Sequence, residues 1–336
     1  MDEQKQDNLQ ASHGQKEHHT EHQKQHRQEP KKSLKEVLYN FYDKKYKALL
    51  VIPFLILFFS LAQIAWQVHS TGDFLYRDVS LKGGVTVTIP YDKEFSTSQL
   101  ESAIKQRFPG NDIAVRSLQS TGRTVGVIVE AAIDGNNKEQ VSRLLGAIES
   151  SMSINLKEVH YGIEIIGSSL GTSFFRESLI ALAVAFLFMG LVVFIYFRTF
   201  IPSTAVILAA FSDMAFALAV VNLMGMRIGT AGIAAFLMLI GYSVDTDILL
   251  TVRVLKRKEG TVMSRIMSSV KTGMTETMTA LVAITVAMLV TQSEVIRQIM
   301  IILLVGLIAD IFNTWIQNVG ILRLYVERKA KKGILI

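Results

Sequence analysis

Twenty consecutive residues, Ala48 to Gln67, carry no charge. A run of that length matches the hydrocarbon thickness of a bilayer. There each backbone N–H and C=O must be paired inside its own segment, so the run has to be helical. Comparable runs follow at Leu179 to Phe197, from Pro202 to about Leu223, from Ile228 to an exit at Arg253, at Thr275 to Thr291 and at Ile299 to Leu322. Half of the 336 residues are hydrophobic, which leaves room for several spans and one compact domain. The composition is that of an integral membrane protein with six transmembrane helices.

The placement of basic residues sets the expected orientation. They gather in the lead-in Lys31 to Lys47, in the loop after the fourth span (Arg253, Lys256, Arg257, Lys258, Arg265, Lys271) and in the tail (Arg323, Arg328, Lys329, Lys331, Lys332). Six spans put those three places on one side, so both termini are expected in the cytosol. The net charge of +6 is then accounted for by topology and contact with a lipid bilayer, and no nucleic acid partner is implied. Cysteine is absent from the sequence, which removes disulfides and thiolate metal sites from consideration. Residues 1 to 30 are polar and rich in Gln and His, with histidines at 13, 18, 19, 22 and 26. They lack the apolar residues that offset ordering entropy and read as a disordered cytosolic tail.

Between the first and second spans the pattern becomes that of a compact α+β domain. Gly84 to Ile89, Asp112 to Leu118, Thr124 to Glu130 and Ile154 to Ile166 read as strands, and Thr97 to Phe108 and Lys138 to Ser150 as helices. The order βαββαβ predicts a ferredoxin-like extracytoplasmic domain. The pair Gly83-Gly84 reads as a tight entry into the first strand, since Lys82-Gly83-Gly84 lacks the spacing of a phosphate loop. The division expected is a tail and lead-in over 1–47, a first span over 48–68, the domain over 69–174, five helices over 175–325 and a basic tail over 326–336. No cofactor, metal site or enzymatic nucleophile is expected.

Acids inside spans are costly and mark function. Asp213 lies about twelve residues, or roughly 18 Å of helix, from either end of the third span. Asp245 and Asp247 close the uncharged stretch of the fourth. They point about 200° apart, so only one is expected to face the third helix. Asp245 lies about 12 Å of helix before Arg253 and is expected to be the proton acceptor, with Asp247 nearer water. On the fifth span Lys271, Thr272, Thr275 and Thr279 form a polar stripe that suits a proton relay. Glu276 and Asp310 are further acids within spans, and Arg297 is read as an interfacial anchor.

These residues carry a resemblance. Leu81-Lys-Gly-Gly-Val85 after the first span, Ser212-Asp213 in the third, Gly241-Tyr-Ser-Val-Asp-Thr-Asp with Arg253 in the fourth, and Lys271-Thr-x-x-Thr275 in the fifth resemble the SecD/SecF family. The likeness covers about residues 48 to 325 and is to the smaller, archaeal-type members. It departs from the bacterial pattern at Asp245-Thr246, where bacterial members read Asn-Asp, and at Lys271, where they carry arginine. The family belongs to the resistance-nodulation-division superfamily, and the resemblance implies a subunit of protein export coupled to the proton gradient. SecD, a SecYEG-type translocon and translocating unfolded proteins are the implied partners. Two other readings stand beside it. One is a scaffold that holds SecD without its own proton coupling. The other is an intramembrane aspartyl protease, disfavoured because that class needs a proline motif in a later span and the last proline here is Pro202.

Overall fold

The computed structural model describes residues 34–93, 95–120, 123–257 and 259–333. The histidine-rich tail expected to be disordered lies outside the described residues. Residues 45–336 form one compact unit. A turn at Leu50 separates helix α1 (Leu34–Leu49) from α2 (Val51–Thr71). Pro53 explains the break, because it has no N–H to offer the carbonyl four residues back. Gly72, at φ +79°, closes α2 in the left-handed cap that glycine tolerates best.

Among the described residues, six helical stretches are long and apolar enough to cross a membrane. After α2 come α3 (Val79–Lys82), a single turn, and then the sheet domain. It consists of β1 (Gly84–Pro90), α4 (Thr97–Arg107), β2 (Ile113–Ser120), β3 (Arg123–Ala131), α5 (Lys138–Met152) and β4 (Gly162–Ile166). The remaining spans are α6 (Ser168–Phe197), α7 (Phe200–Leu223), α8 (Thr230–Lys256), α9 (Val262–Val290) and α10 (Glu294–Phe312). The last continues through a π-helical turn, Asn313–Asn318, into α11 (Val319–Lys331).

The four strands form one antiparallel sheet in the order β2-β3-β1-β4. Alternate residues Val85, Val87, Ile113, Val115, Val127 and Val129 turn to one face and are buried against Leu100 and Ile104 of α4 and Leu144 and Ile148 of α5. Ser96 and Asn137 cap the two helices by accepting from backbone N–H groups of their first turns. The last strand is shorter than the expected Ile154 to Ile166. Ser153 adopts φ +53° and the Asn155 side chain accepts from the Lys157 N–H, so residues 153 to 158 turn instead of extending.

The opposite face of the sheet is polar and turns towards the helices. Thr86, Thr88, Arg116, Glu130 and Glu164 line a cavity of about 210 Å³, closed on its other side by Gly229, Thr230, Glu294 and Gln298. Two sets of charges bridge the junction. Arg116 on β2 contacts Glu130 on β3 and Glu294 at the head of α10. Asp112 accepts two hydrogen bonds from Arg227, at 3.0 and 2.6 Å, and one from Lys82 at 3.0 Å.

The glycine pair does what its position implied. A Cβ on Gly83 (φ +82°) would stand 2.3 Å from Ser168 Cα, so the chain enters β1 pressed against the start of α6. Helix α6 begins eleven residues before the span expected from Leu179, because Ser168 to Ser178 continues the helix towards the sheet. At 1.5 Å per residue, 30 residues measure about 45 Å, longer than a bilayer core of about 30 Å. Helices α7 and α8 occupy the middle of the bundle. Along α7 the buried positions include Ala205, Ala209, Ala210, Ala217 and Ala219, small residues that let neighbouring backbones approach. Helices α2, α6 and α9 carry exposed large apolar side chains, among them Phe58, Phe59, Leu187, Phe188, Val282 and Val290, as lipid-facing helices do.

Candidate functional site: a buried carboxylate cluster

Three carboxyl groups meet at the centre of the helix bundle. Asp213 of α7, Asp247 of α8 and Asp310 of α10 are all fully buried. The π turn that follows α10 supplies their donors. Asn313 Nδ2 donates to Asp213 Oδ1 at 2.7 Å, and Ser243 Oγ donates to the other oxygen of the same carboxyl. Asn318 Nδ2 donates to Asp247 Oδ1 at 2.7 Å. Thr314 Oγ1 lies 2.9 Å from Asp247 Oδ1 and 2.9 Å from Asp310 Oδ1. Gln317 Nε2 reaches Ser212 Oγ at 3.4 Å.

The threonine imposes a count. A hydroxyl carries one proton and two lone pairs, so Thr314 can donate to one carboxylate only. For both 2.9 Å contacts to be hydrogen bonds, one of the two carboxyls must carry a proton and donate back to Oγ1. Thr314 then links two carboxyls across which a proton can pass by exchanging donor and acceptor. No cationic side chain hydrogen-bonds any of the three among the described residues, and such a group of acids is expensive to hold fully ionised at this depth. Asp247 Oδ2 and Asp310 Oδ2 are buried without a hydrogen-bond partner among the described residues.

Helix azimuth reverses the expected burial of the two acids of the fourth span. Asp247 is buried, whereas Asp245 is exposed on the chain's surface beside exposed Tyr242. The physical reason is the face that α8 turns to its neighbours. Ser243, Asp247 and Leu250 line the inner side, in contact with α7 and the π turn, and Asp245 points away from it. Asp213 lies where its position in the third span suggested. Lys271, Thr272, Thr275 and Thr279 lie on an exposed face of α9 and are not brought to the carboxylates. The three hydroxyls bond carbonyls one turn back in their own helix, at 2.7 to 3.2 Å. Arg253 adds a link from α8, donating to Thr272 Oγ1 at 3.0 Å and to Ser268 O at 2.7 Å. Glu276 is exposed on the same helix, and Arg297 Nη2 reaches Thr291 O at 3.5 Å.

Sequence reasoning missed Ser243, Asn313, Thr314, Gln317 and Asn318. The signal was present as polar residues at i, i+1, i+4 and i+5 in an apolar helix, one face of a helical wheel. A π turn widens the helix there and is a frequent mark of a functional site. Close packing holds the turn in place: a Cβ on Gly273 of α9 would stand 2.4 Å from the Trp315 ring.

Comparison with known proteins places the chain in a family. Residues 148–328 match the family described as "Protein export membrane protein SecD/SecF, C-terminal". The chain is 34% identical over 300 residues to the protein-export membrane protein SecF of Pyrococcus furiosus, covering 89% of this chain and 97% of that one. It is 35% identical over 296 residues to SecF of Methanocaldococcus jannaschii, covering 86% and 99%. Among solved structures it is similar to SecDF of Thermus thermophilus, a translocon-associated membrane protein, with a TM-score of 0.66 at 18% identity. That match covers 84% of this chain and 38% of the SecDF chain, so the chain spans well under half of that longer protein. With relatives at this identity over almost their whole length, and the family match over more than half of the chain, the chain belongs to the SecF family of protein-export membrane proteins.

Proposed function

We propose that the chain is a non-enzymatic subunit of the Sec export machinery, which assists translocation of unfolded proteins and is coupled to the proton gradient. The observation that carries the coupling is the Thr314 hydroxyl set 2.9 Å from both Asp247 and Asp310 in the middle of a membrane bundle. Asp213, Asp247 and Asp310 hold and pass the proton, and Thr314 and Ser243 connect them. Protonation changes the net charge at the core of the bundle, which biases the packing of α7, α8 and α10 and so provides a conformational step.

Asp245 and the stripe Lys271, Thr272, Thr275 and Thr279 take their place in this reading at the surface. A membrane-spanning face that exposes an acid, a lysine and three hydroxyls suits a protein neighbour better than lipid. That most of the SecDF relative's length lies outside the match supports a second half as the partner. We therefore assign SecD as the neighbour on α8 and α9, and a SecYEG-type channel as the complex that both assist. The sheet domain is ferredoxin-like, a reading supported by its βαββαβ element order and by strand order β2-β3-β1-β4. It lies on the extracytoplasmic side of the cell membrane, with both termini in the cytosol, a reading supported by the basic clusters.

The test is Asp247→Asn in cells that depend on this chain. Gradient-dependent export of a secreted reporter is expected to fall while SecD still copurifies. Unchanged export with normal assembly and an intact gradient leaves the scaffold reading in its place.

A further inference from the structure

The two edges of the sheet are finished differently. At the β2 edge the Val115 N–H donates to Glu101 Oε2 of α4 at 3.3 Å, so a side chain covers part of the ladder. At the β4 edge, among the described residues, no side chain or backbone group from another element hydrogen-bonds residues 162–166 from outside the sheet. This strand has no proline, no lysine and no bulge, and Glu164 is its one charged residue.

Its side chains are as exposed as its backbone. Ile165 pairs with Val85 and Ile163 with Val87, so both isoleucines share the face of two fully buried core valines. Tyr161 continues the alternation. These three are 37%, 39% and 47% exposed for Tyr161, Ile163 and Ile165, although their face is the one that α4 and α5 cover elsewhere. The apolar core of the domain thus stops one strand short of the sheet's edge.

We propose that the outer edge of β4 receives an extended segment of an unfolded polypeptide as a fifth strand, apolar at alternate positions. This rests on the export reading and names how such a subunit holds its substrate. A main-chain ladder recognises any extended sequence, and alternate side chains find the strip Tyr161, Ile163 and Ile165. The size of the edge selects a passing chain over a permanent neighbour. Five residues of strand extend about 17 Å, and one added strand on that length covers far less than the ~1,200 Å² of a stable protein interface.

The test uses the full chain in lipid nanodiscs without an ion gradient. The probe is a fluorescent peptide of alternating valine and threonine, with a copy N-methylated at the amides of one edge. Saturable binding of the first peptide and not of the second is expected. Ile163→Lys with Ile165→Lys should weaken binding roughly tenfold, the loss that follows from removing part of two isoleucine burials. Because the sequence contains no cysteine, Ile163→Cys supplies a single thiol. It is expected to cross-link to a peptide that carries a thiol-reactive group, which keeps the idea testable if the lysine pair misfolds. Binding that ignores N-methylation overturns the proposal, and so does the absence of a cross-link between position 163 and the peptide. Such a failure leaves the export reading standing, since the assay involves no gradient and no export.

Discussion

Arg116 and Glu294 lie 178 positions apart in sequence, yet the guanidinium on β2 donates to the carboxylate at the head of α10 at 3.1 Å. The same guanidinium contacts Glu130, so one cation ties the sheet to itself and to a membrane helix. Glu130 is 3% exposed and one of its oxygens has no partner. Arg116→Ala leaves that carboxylate buried without its cation, and an ion-pair loss of this kind costs about 3 kcal/mol. A clearly lower melting temperature of the detergent-solubilised chain is expected. Adding Glu130→Gln to Arg116→Ala should recover part of the loss.

The two junction acids respond to pH in opposite senses. Burial pushes the Glu130 carboxyl above the usual range, with Asp78 adding to it and Arg116 opposing. A raised folded-state value means that the folded chain binds the proton more tightly, so this contribution to stability falls as pH rises through the raised value. For Asp112 burial also pushes upward, but the hydrogen bonds from Arg227 and Lys82 outweigh it and hold the carboxyl below the usual range. Its contribution is present at neutral pH and is lost as pH falls through that lowered value. Melting curves between neutral and acidic pH check both. The deficit of Asp112→Asn against the parent chain, within about 1 kcal/mol for a half-exposed pair, should close in acid. Glu130→Gln should be the more stable chain at neutral pH and lose its advantage in acid.

Thr314→Val separates the proton link from packing, because it keeps the branched shape of the side chain and removes the hydroxyl. The substitution leaves Asp247 with its Asn318 donor and breaks the connection to Asp310. Reporter export at high gradient is expected to drop while the amount of folded chain in the membrane stays close to normal. Asn313→Leu is the structural comparison. It leaves Asp213 Oδ1 without its donor and should cost about 1–3 kcal/mol, visible as reduced accumulation of the chain.

Gly83→Ala should be severely destabilising, because the new methyl group would meet the backbone of Ser168 and the residue sits at φ +82°. Gly146→Ala is the control. That glycine is helical with open space around it, and the change should stabilise by about 0.5–1 kcal/mol. Equal melting temperatures for the two variants would contradict the close contact between β1's entry and α6.

Orientation is checked with single cysteines in this cysteine-free chain. Ser151→Cys, on an exposed position of the sheet domain, should react with a membrane-impermeant maleimide in intact cells. Lys331→Cys, in the last turn of α11, should react only after the membrane is opened.

The residues by themselves determined the local features of this protein. Long apolar runs set the six spans, alternation set the sheet's core face, and Gly83 marked a close approach, because each depends on neighbours within a few positions. The start of α6 and the short β4 escaped that reading, since helix continuation at Ser168 and the turn at Ser153 depend on packing and capping. Only the tertiary structure decided which acid is buried. Asp245 and Asp247 are equivalent in type and nearly so in depth, and the rotation of α8 about its axis buries one and exposes the other. That rotation is set by contacts with α7 and with the π turn at Asn313–Asn318, residues up to 71 positions away, and no local pattern reports it.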